Sequence, residues 1–240
     1  MKAAVFACLL AVLLLGGCAT NPSGTIQPLP AASADRDGDT GKLQWHYFRF
    51  RFARSADDEV DSSLDLLVAA EIIAPLLQED QQALPLWRFH RRWPDDQTGH
   101  QFSFIVRTDR AGVESINASI LAAPLFQRLR EEGRLREYWV DVSKAKQPGA
   151  LAATSDRSWP EDLQREWPYF IMGASRLWLG LVQAEAGKSS AADPYARYRD
   201  AAEAVDNLWF EEANHALFHH LSALFGYQPV RVIRRDIMTF

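Results

Sequence analysis

The residues best placed to do chemistry lie on alternating stretches: Tyr47, Arg49, Arg51, Arg88, His90, Arg92, Gln101, Ser103, Arg107 and Trp139. They alternate with His46, Phe48, Phe50, Phe52, Trp87, Phe89, Phe102, Phe104 and Val106, so one face of a sheet is apolar and the other cationic and aromatic. Guanidinium forks and aromatic planes together suit an anionic or planar ligand. The competing expectation is a structural one, in which C-terminal helices cover this face and Asp200, Glu203, Asp206, Glu211 and Glu212 satisfy the arginines.

Two smaller sets carry weaker chemistry. Glu212, His215 and His219 share a helical face at i, i+3 and i+7, a spacing compatible with metal ligation. No second Glu-x-x-His occurs on the helix expected to pack against them, so no metal is expected, and His220 on the apolar stripe reads as a core histidine. His90 and His100 flank the same turn and could act as an acid–base pair. No nucleophile elbow or phosphate-cradling loop accompanies them, and no cofactor is expected.

These side chains must be held by a small number of elements. Residues 87–107 form two alternating strands about a Pro-Asp-Asp-Gln-Thr-Gly turn, and 43–53 form another strand. A helix is predicted over 60–77, kinked or ended by Pro75, and a second over 113–132, interrupted by Pro124 and stopped by Gly133. Residues 136–143 give a fourth strand. The order is β-α-β-β-α-β, and its halves match: Arg54-Ser55 and Val60 repeat as Arg107-Thr108 and Val113, and Ile72-Ile-Ala-Pro-Leu-Leu-Gln78 repeats as Leu121-Ala-Ala-Pro-Leu-Phe-Gln127. The expected fold is therefore α+β, a ferredoxin-like βαββαβ core with a four-stranded antiparallel sheet and a duplicated βαβ unit.

A connection over 144–158 leads to an added C-terminal helical hairpin. Its first helix, 159–186, has Ser158 as N-cap, is bent or split at Pro168 and ends at Gly187. Its second starts at Asp193-Pro194 and runs to Phe225, with Tyr198, Ala202, Val205, Trp209, Ala213, Ala216, His220 and Leu224 as its apolar stripe. Val230 to Ile233 could add an edge strand.

Composition narrows the partners and the address. The formal charge of the 240 residues is −5, becoming about −6 if Lys2 is removed, which argues against nucleic acid as a partner. Met1-Lys2 precedes an apolar run from Ala3 to Leu15, too short to span a bilayer and suited to a signal peptide. The run ends in Leu15-Gly16-Gly17-Cys18, which resembles the lipobox of bacterial lipoproteins. That resemblance implies cleavage before Cys18, acylation of Cys18 and membrane anchoring. Ala19 in the next position implies the outer membrane, facing the periplasm. The expected organisation is a signal peptide over 1–17, an acylated cysteine and flexible tether over 18–41, and one periplasmic domain over 42–240. Within that domain, 42–143 form the core, 159–226 the long helices and 229–240 a C-terminal segment. Cys8 departs with the signal, so Cys18 has no disulfide partner in the mature chain and no cysteine metal site exists.

One further resemblance lies at the hairpin. Trp87-x-Phe-x-Arg91-x-Trp-Pro-Asp, a turn, and Gly99-His100-x-Phe-x-Phe are similar to a motif of the lantibiotic dehydratase C-terminal, or thiopeptide-type bacteriocin biosynthesis, domain. The similar region covers about 64–142. That family performs eliminations on modified peptides with Arg and His side chains, and Arg91 and His100 occupy matching positions. The resemblance implies a related fold. It also supplies the alternative function, an elimination- or transfer-type enzyme using His90, Arg91 and His100. The leading expectation is a non-catalytic binding or envelope-assembly module, which would use Tyr47, Arg49, Arg51, Arg88, His90, Arg92 and Arg107 to hold an anionic envelope component or an envelope protein.

Overall fold

In the computed structural model, alternation of apolar and polar residues becomes a sheet in the register the pattern demands. The structure describes residues 43–55, 58–79, 84–92 and 99–227. The lipobox with Cys18, the tether, most of the hairpin turn and the 230–233 segment lie outside them. Strands β1 (Gln44–Phe52), β2 (Leu86–Arg91), β3 (Phe102–Thr108) and β4 (Leu135–Val142) form one sheet in the order β2-β3-β1-β4, every neighbouring pair antiparallel. Phe48 stands opposite Phe104 on one side and Val140 on the other. Phe50 stands between Phe102 and Tyr138, and Phe89 opposite Phe104. Period 2 therefore sends all these rings to one face, where Phe48, Phe50, Phe102 and Phe104 are completely buried.

Helices cover that aromatic face. The first begins as α1 (Ser63–Val68), passes through a π turn (Ala69–Ile73) and continues as α2 (Ala74–Glu79). Pro75 has no N–H, and the change to π bonding immediately before it absorbs the break, with Ala74 N–H reaching back to the Ala69 carbonyl. Between β3 and β4, α3 (Arg110–Ala122) and α4 (Pro124–Glu131) meet at Ala123. Ala123 is extended because the residue before a proline avoids the helical region. The start of α3 comes earlier than 113 because Asp109 caps it, accepting from Gly112 N–H at 2.8 Å. Gly133 stops α4 with φ of +70°.

Helix α5 (Glu161–Lys188) differs from expectation at both ends, and of the two outcomes expected at Pro168 the split does not occur. Pro160, not Ser158, stands at its N-cap position, because Ser158 turns its hydroxyl to Asp156. Pro168 does not split it: the Gln164 carbonyl, which residue 168 cannot serve, accepts instead from Ser155 Oγ at 2.7 Å. The helix also runs past Gly187 to Lys188. Leu179 and Val182 of α5 join the main core, and Ser175 Oγ accepts the Phe89 N–H of edge strand β2 at 3.0 Å.

Helix α6 (Pro194–Leu208) starts at Asp193, which accepts from Ala196 N–H. It packs on α1 and α5 through Tyr195, Tyr198, Ala201 and Val205. After a π turn (Trp209–Ala213), α7 (Asn214–Leu224) buries none of its residues among those described. The expected stripe therefore holds only through Val205. Trp209, Phe218 and Leu224 are exposed, and so is His220, which is not a core histidine.

The largest correction concerns the cover of the basic face. Helix α6 lies on the aromatic side, where Tyr198 donates to Glu71 at 2.6 Å, and Asp200 is engaged by Ser189. The connection over 144–158, with a short 3-10 turn at Leu151–Thr154, covers part of the basic face, and of the two C-terminal helices it is α5 that adds to this cover, through Met172. Trp45, Leu86 and Ile105 form a second small core there, under Leu151, Ala153 and Met172. Trp45 Nε1 donates to the Ala150 carbonyl at 3.0 Å, and Ser143 Oγ to the Ala153 carbonyl at 3.1 Å.

Candidate functional site

The basic-aromatic face is divided between a closed half and an open half. On β2 and β3, Arg107 Nε donates to the Gly149 carbonyl at 3.0 Å and Arg88 Nη2 to the Thr154 carbonyl at 3.3 Å. Burial pulls the Arg88 guanidinium below its ordinary value, with the charge of Tyr47 opposing that shift. Gln101 and Ser103 are buried and bonded to each other. Arg92 is half-buried and His90 exposed. These residues are largely occupied by the chain itself.

On β1 and β4 the arrangement is open. Arg49 lies 4.5 Å over the Tyr47 ring, and its Nε approaches both Asp141 oxygens at 3.1–3.2 Å. Arg51 lies 5.2 Å over the Trp139 ring and donates to Glu137 at 2.7 Å. Both guanidiniums are partly exposed, as are their carboxylate partners. The acids are cross-strand neighbours at the registers Tyr47–Asp141 and Arg51–Glu137, not residues of the 193–225 helix.

His90 and His100 do not come together. His90 stands on the basic face, whereas Arg91 and His100 turn to the opposite one. There both meet a residue that sequence reasoning did not single out, Asp65 in the first turn of α1. Asp65 is fully buried; Arg91 Nε lies 2.8 Å from its Oδ2, and His100 Nε2 is 3.0 Å from both oxygens. His100 Nδ1 lies 2.7 Å from the Arg92 carbonyl. A carbonyl and a carboxylate only accept, so each ring nitrogen must carry a proton and the geometry fits an imidazolium. Burial alone would lower the His100 pKa, but the hydrogen bond and charge of Asp65, with the Arg92 carbonyl, outweigh it and the net shift is upward. The available signal for Asp65 was a carboxylate inside the apolar run Leu64-Asp65-Leu66-Leu67-Val68.

Beside His100 a pocket of about 170 Å³ opens between the end of β1 and the start of β4. Arg51, Arg54, Arg136, Gly99, His100 and Val60 are among its walls. Arg54 pairs with Asp58 at 3.3 Å, and Arg136 stands 4.0 Å from Glu137. On the C-terminal helix, Glu212 lies in the π turn and His215 and His219 stack at 6.0 Å, all exposed. Among the described residues, no three His, Cys, Asp or Glu side chains gather around one point. Nor is any described helix long and apolar enough to cross a membrane.

No family model matches this chain, and neither the curated proteins nor the solved structures give a match.

Proposed function

We propose that this chain is a bacterial lipoprotein, acylated at Cys18 and anchored in the outer membrane, whose periplasmic domain is a non-catalytic binding or envelope-assembly module. The apolar run from Ala3 to Leu15, the Leu15-Gly16-Gly17-Cys18 ending and the polar stretch after it support the anchor. We read the domain as ferredoxin-like. The β-α-β-β-α-β order and the sheet order β2-β3-β1-β4 support that reading, and the packing of α5 on α6 supports an added C-terminal helical hairpin.

The observation that carries the binding reading is the unequal cover of the basic face. The 144–158 connection satisfies Arg88 and Arg107 with backbone carbonyls, while Arg49 and Arg51 remain partly exposed on aromatic planes. Their acidic partners are also partly exposed, so an anionic envelope component or a protein carboxylate can exchange with them at little desolvation cost. The test is crosslinking of the acylated protein in intact envelopes, wild type against Arg49→Ala/Trp139→Ala. Crosslinked partners lost at unchanged thermal stability support this face; an unchanged set refutes it. A Cys18→Ser chain should leave the membrane fraction and take up no labelled fatty acid.

An elimination- or transfer-type enzyme is the second reading, favoured by the meeting of Arg91 and His100 at one carboxylate. The complete burial of Asp65 favours the first, because a sealed carboxylate holding two cations is placed to organise the fold rather than to meet a substrate.

A further inference from the structure

We propose that the pocket between the end of β1 and the start of β4 binds a phosphoryl group, with Arg51, Arg54 and Arg136 as its cationic wall. This rests on the binding-module reading above and names the chemistry that one part of the basic surface takes. The three arginines come from two pieces of chain. Arg51 is the penultimate residue of β1, Arg54 sits just beyond that strand on the isolated bridge to Val60, and Arg136 is the second residue of β4. Donors from two strands suit a tetrahedral oxyanion, whereas a planar carboxylate is served by a single fork.

Charge supports the assignment. Among the described residues, Glu137 and Asp58 pair with the wall, and Asp65 lies behind it with Arg91 and His100. Among those residues, Arg51, Arg54, Arg136, Arg91 and the His100 imidazolium face these three carboxylates. Asp58 and Glu137 are themselves exposed, at 82% and 44% of their side chains, so an incoming dianion displaces weak partners. Gly99, with φ of +74°, is part of the pocket wall. At about 170 Å³ the pocket is smaller than sites for drug-sized ligands and suits a head group or a free oxyanion.

The experiment titrates the full acylated protein in non-ionic detergent micelles with inorganic phosphate, by calorimetry. Acetate and chloride at matched ionic strength are the controls. Phosphate is expected to bind where acetate and chloride do not. Arg54→Gln/Arg136→Gln should weaken it at least about tenfold, since charge-assisted bonds are lost. Arg110→Gln, remote and exposed, should leave it unchanged. If the double variant loses its near-ultraviolet circular dichroism, Arg136→Gln alone takes its place, because that side chain is 72% exposed. Micelles doped with phosphatidic acid separate the sources. Capture that inorganic phosphate displaces assigns a lipid head group, and phosphate binding with no capture assigns a free oxyanion. Phosphate no better than acetate, or equal affinity in the variant, overturns the site. Crosslinking through Arg49 and Trp139 that survives this failure leaves the module reading intact. Loss of that crosslinking with phosphate binding retained rejects the open sheet face instead.

Discussion

His100 Nε2 stands 3.0 Å from both carboxylate oxygens of Asp65, while its other ring nitrogen faces the Arg92 carbonyl. Both contacts require an N–H, so the fold selects the imidazolium. The His100 pKa is raised in the folded state above the unfolded value of about 6.5. Its stabilisation is therefore complete below about pH 6.5 and is lost as pH rises through the folded value. His46 works in the opposite direction: burial lowers its pKa, so its contribution is present above about pH 6.5 and lost as pH falls. The difference between wild type and His100→Gln in urea unfolding, measured from pH 5 to 9, isolates His100. That difference should shrink as pH rises; a pH-independent difference would show that His100 is neutral in the fold.

Asp65 has the larger stake, because it is the shared counter-ion of two cations from inside the core. Asp65→Asn removes the charge while nearly keeping the shape, leaving Arg91 and the His100 imidazolium facing one another without their counter-ion. The expected cost is about 3–5 kcal/mol, the range for breaking one side of a buried pair. Equilibrium urea unfolding measures it. A loss under about 1 kcal/mol would mean that the cluster is solvated and replaceable.

Ser175 protects an edge. Strand β2 ends the sheet, and its Phe89 N–H would have no ladder partner without the Ser175 hydroxyl, which itself donates to the Ile171 carbonyl. Ser175→Ala should cost about 1–3 kcal/mol, the penalty of an unmet buried donor. Amide exchange at Phe89 should accelerate more than at its neighbours. Uniform acceleration would point to general loosening instead.

What could be read from the sequence follows from the range of each interaction. Period 2 sets the side of every strand residue, so the burial of Phe48, Phe50, Phe102 and Phe104 and the shared face of Tyr47, Arg49, Arg51 and Trp139 were legible. The meeting of Arg91 and His100 at Asp65 was not legible, because Asp65 is 26 and 35 residues away on another element. The cover of Arg88 and Arg107 left no trace because their partners are backbone carbonyls, which every residue has. Helix ends shifted where a capping residue found another partner, as Ser158 did with Asp156. At Pro168, where a bend or a split was expected, a remote compensation keeps the helix in one piece.

Gln164 and Ser155 give that compensation a quantitative test. In an uninterrupted helix the residue-168 N–H would serve the Gln164 carbonyl; proline has none, and Ser155 Oγ takes its place at 2.7 Å. Ser155→Ala alone should therefore lower stability by about 1 kcal/mol. In a Pro168→Ala background the helix can serve that carbonyl itself, so the same Ser155→Ala change should cost nearly nothing. The two substitutions would then show a coupling of about 0.5–1.5 kcal/mol in a double-mutant cycle of urea unfolding. Strict additivity would mean that the serine hydroxyl matters for the 144–158 connection and not for the proline, and that α5 tolerates Pro168 through bending alone.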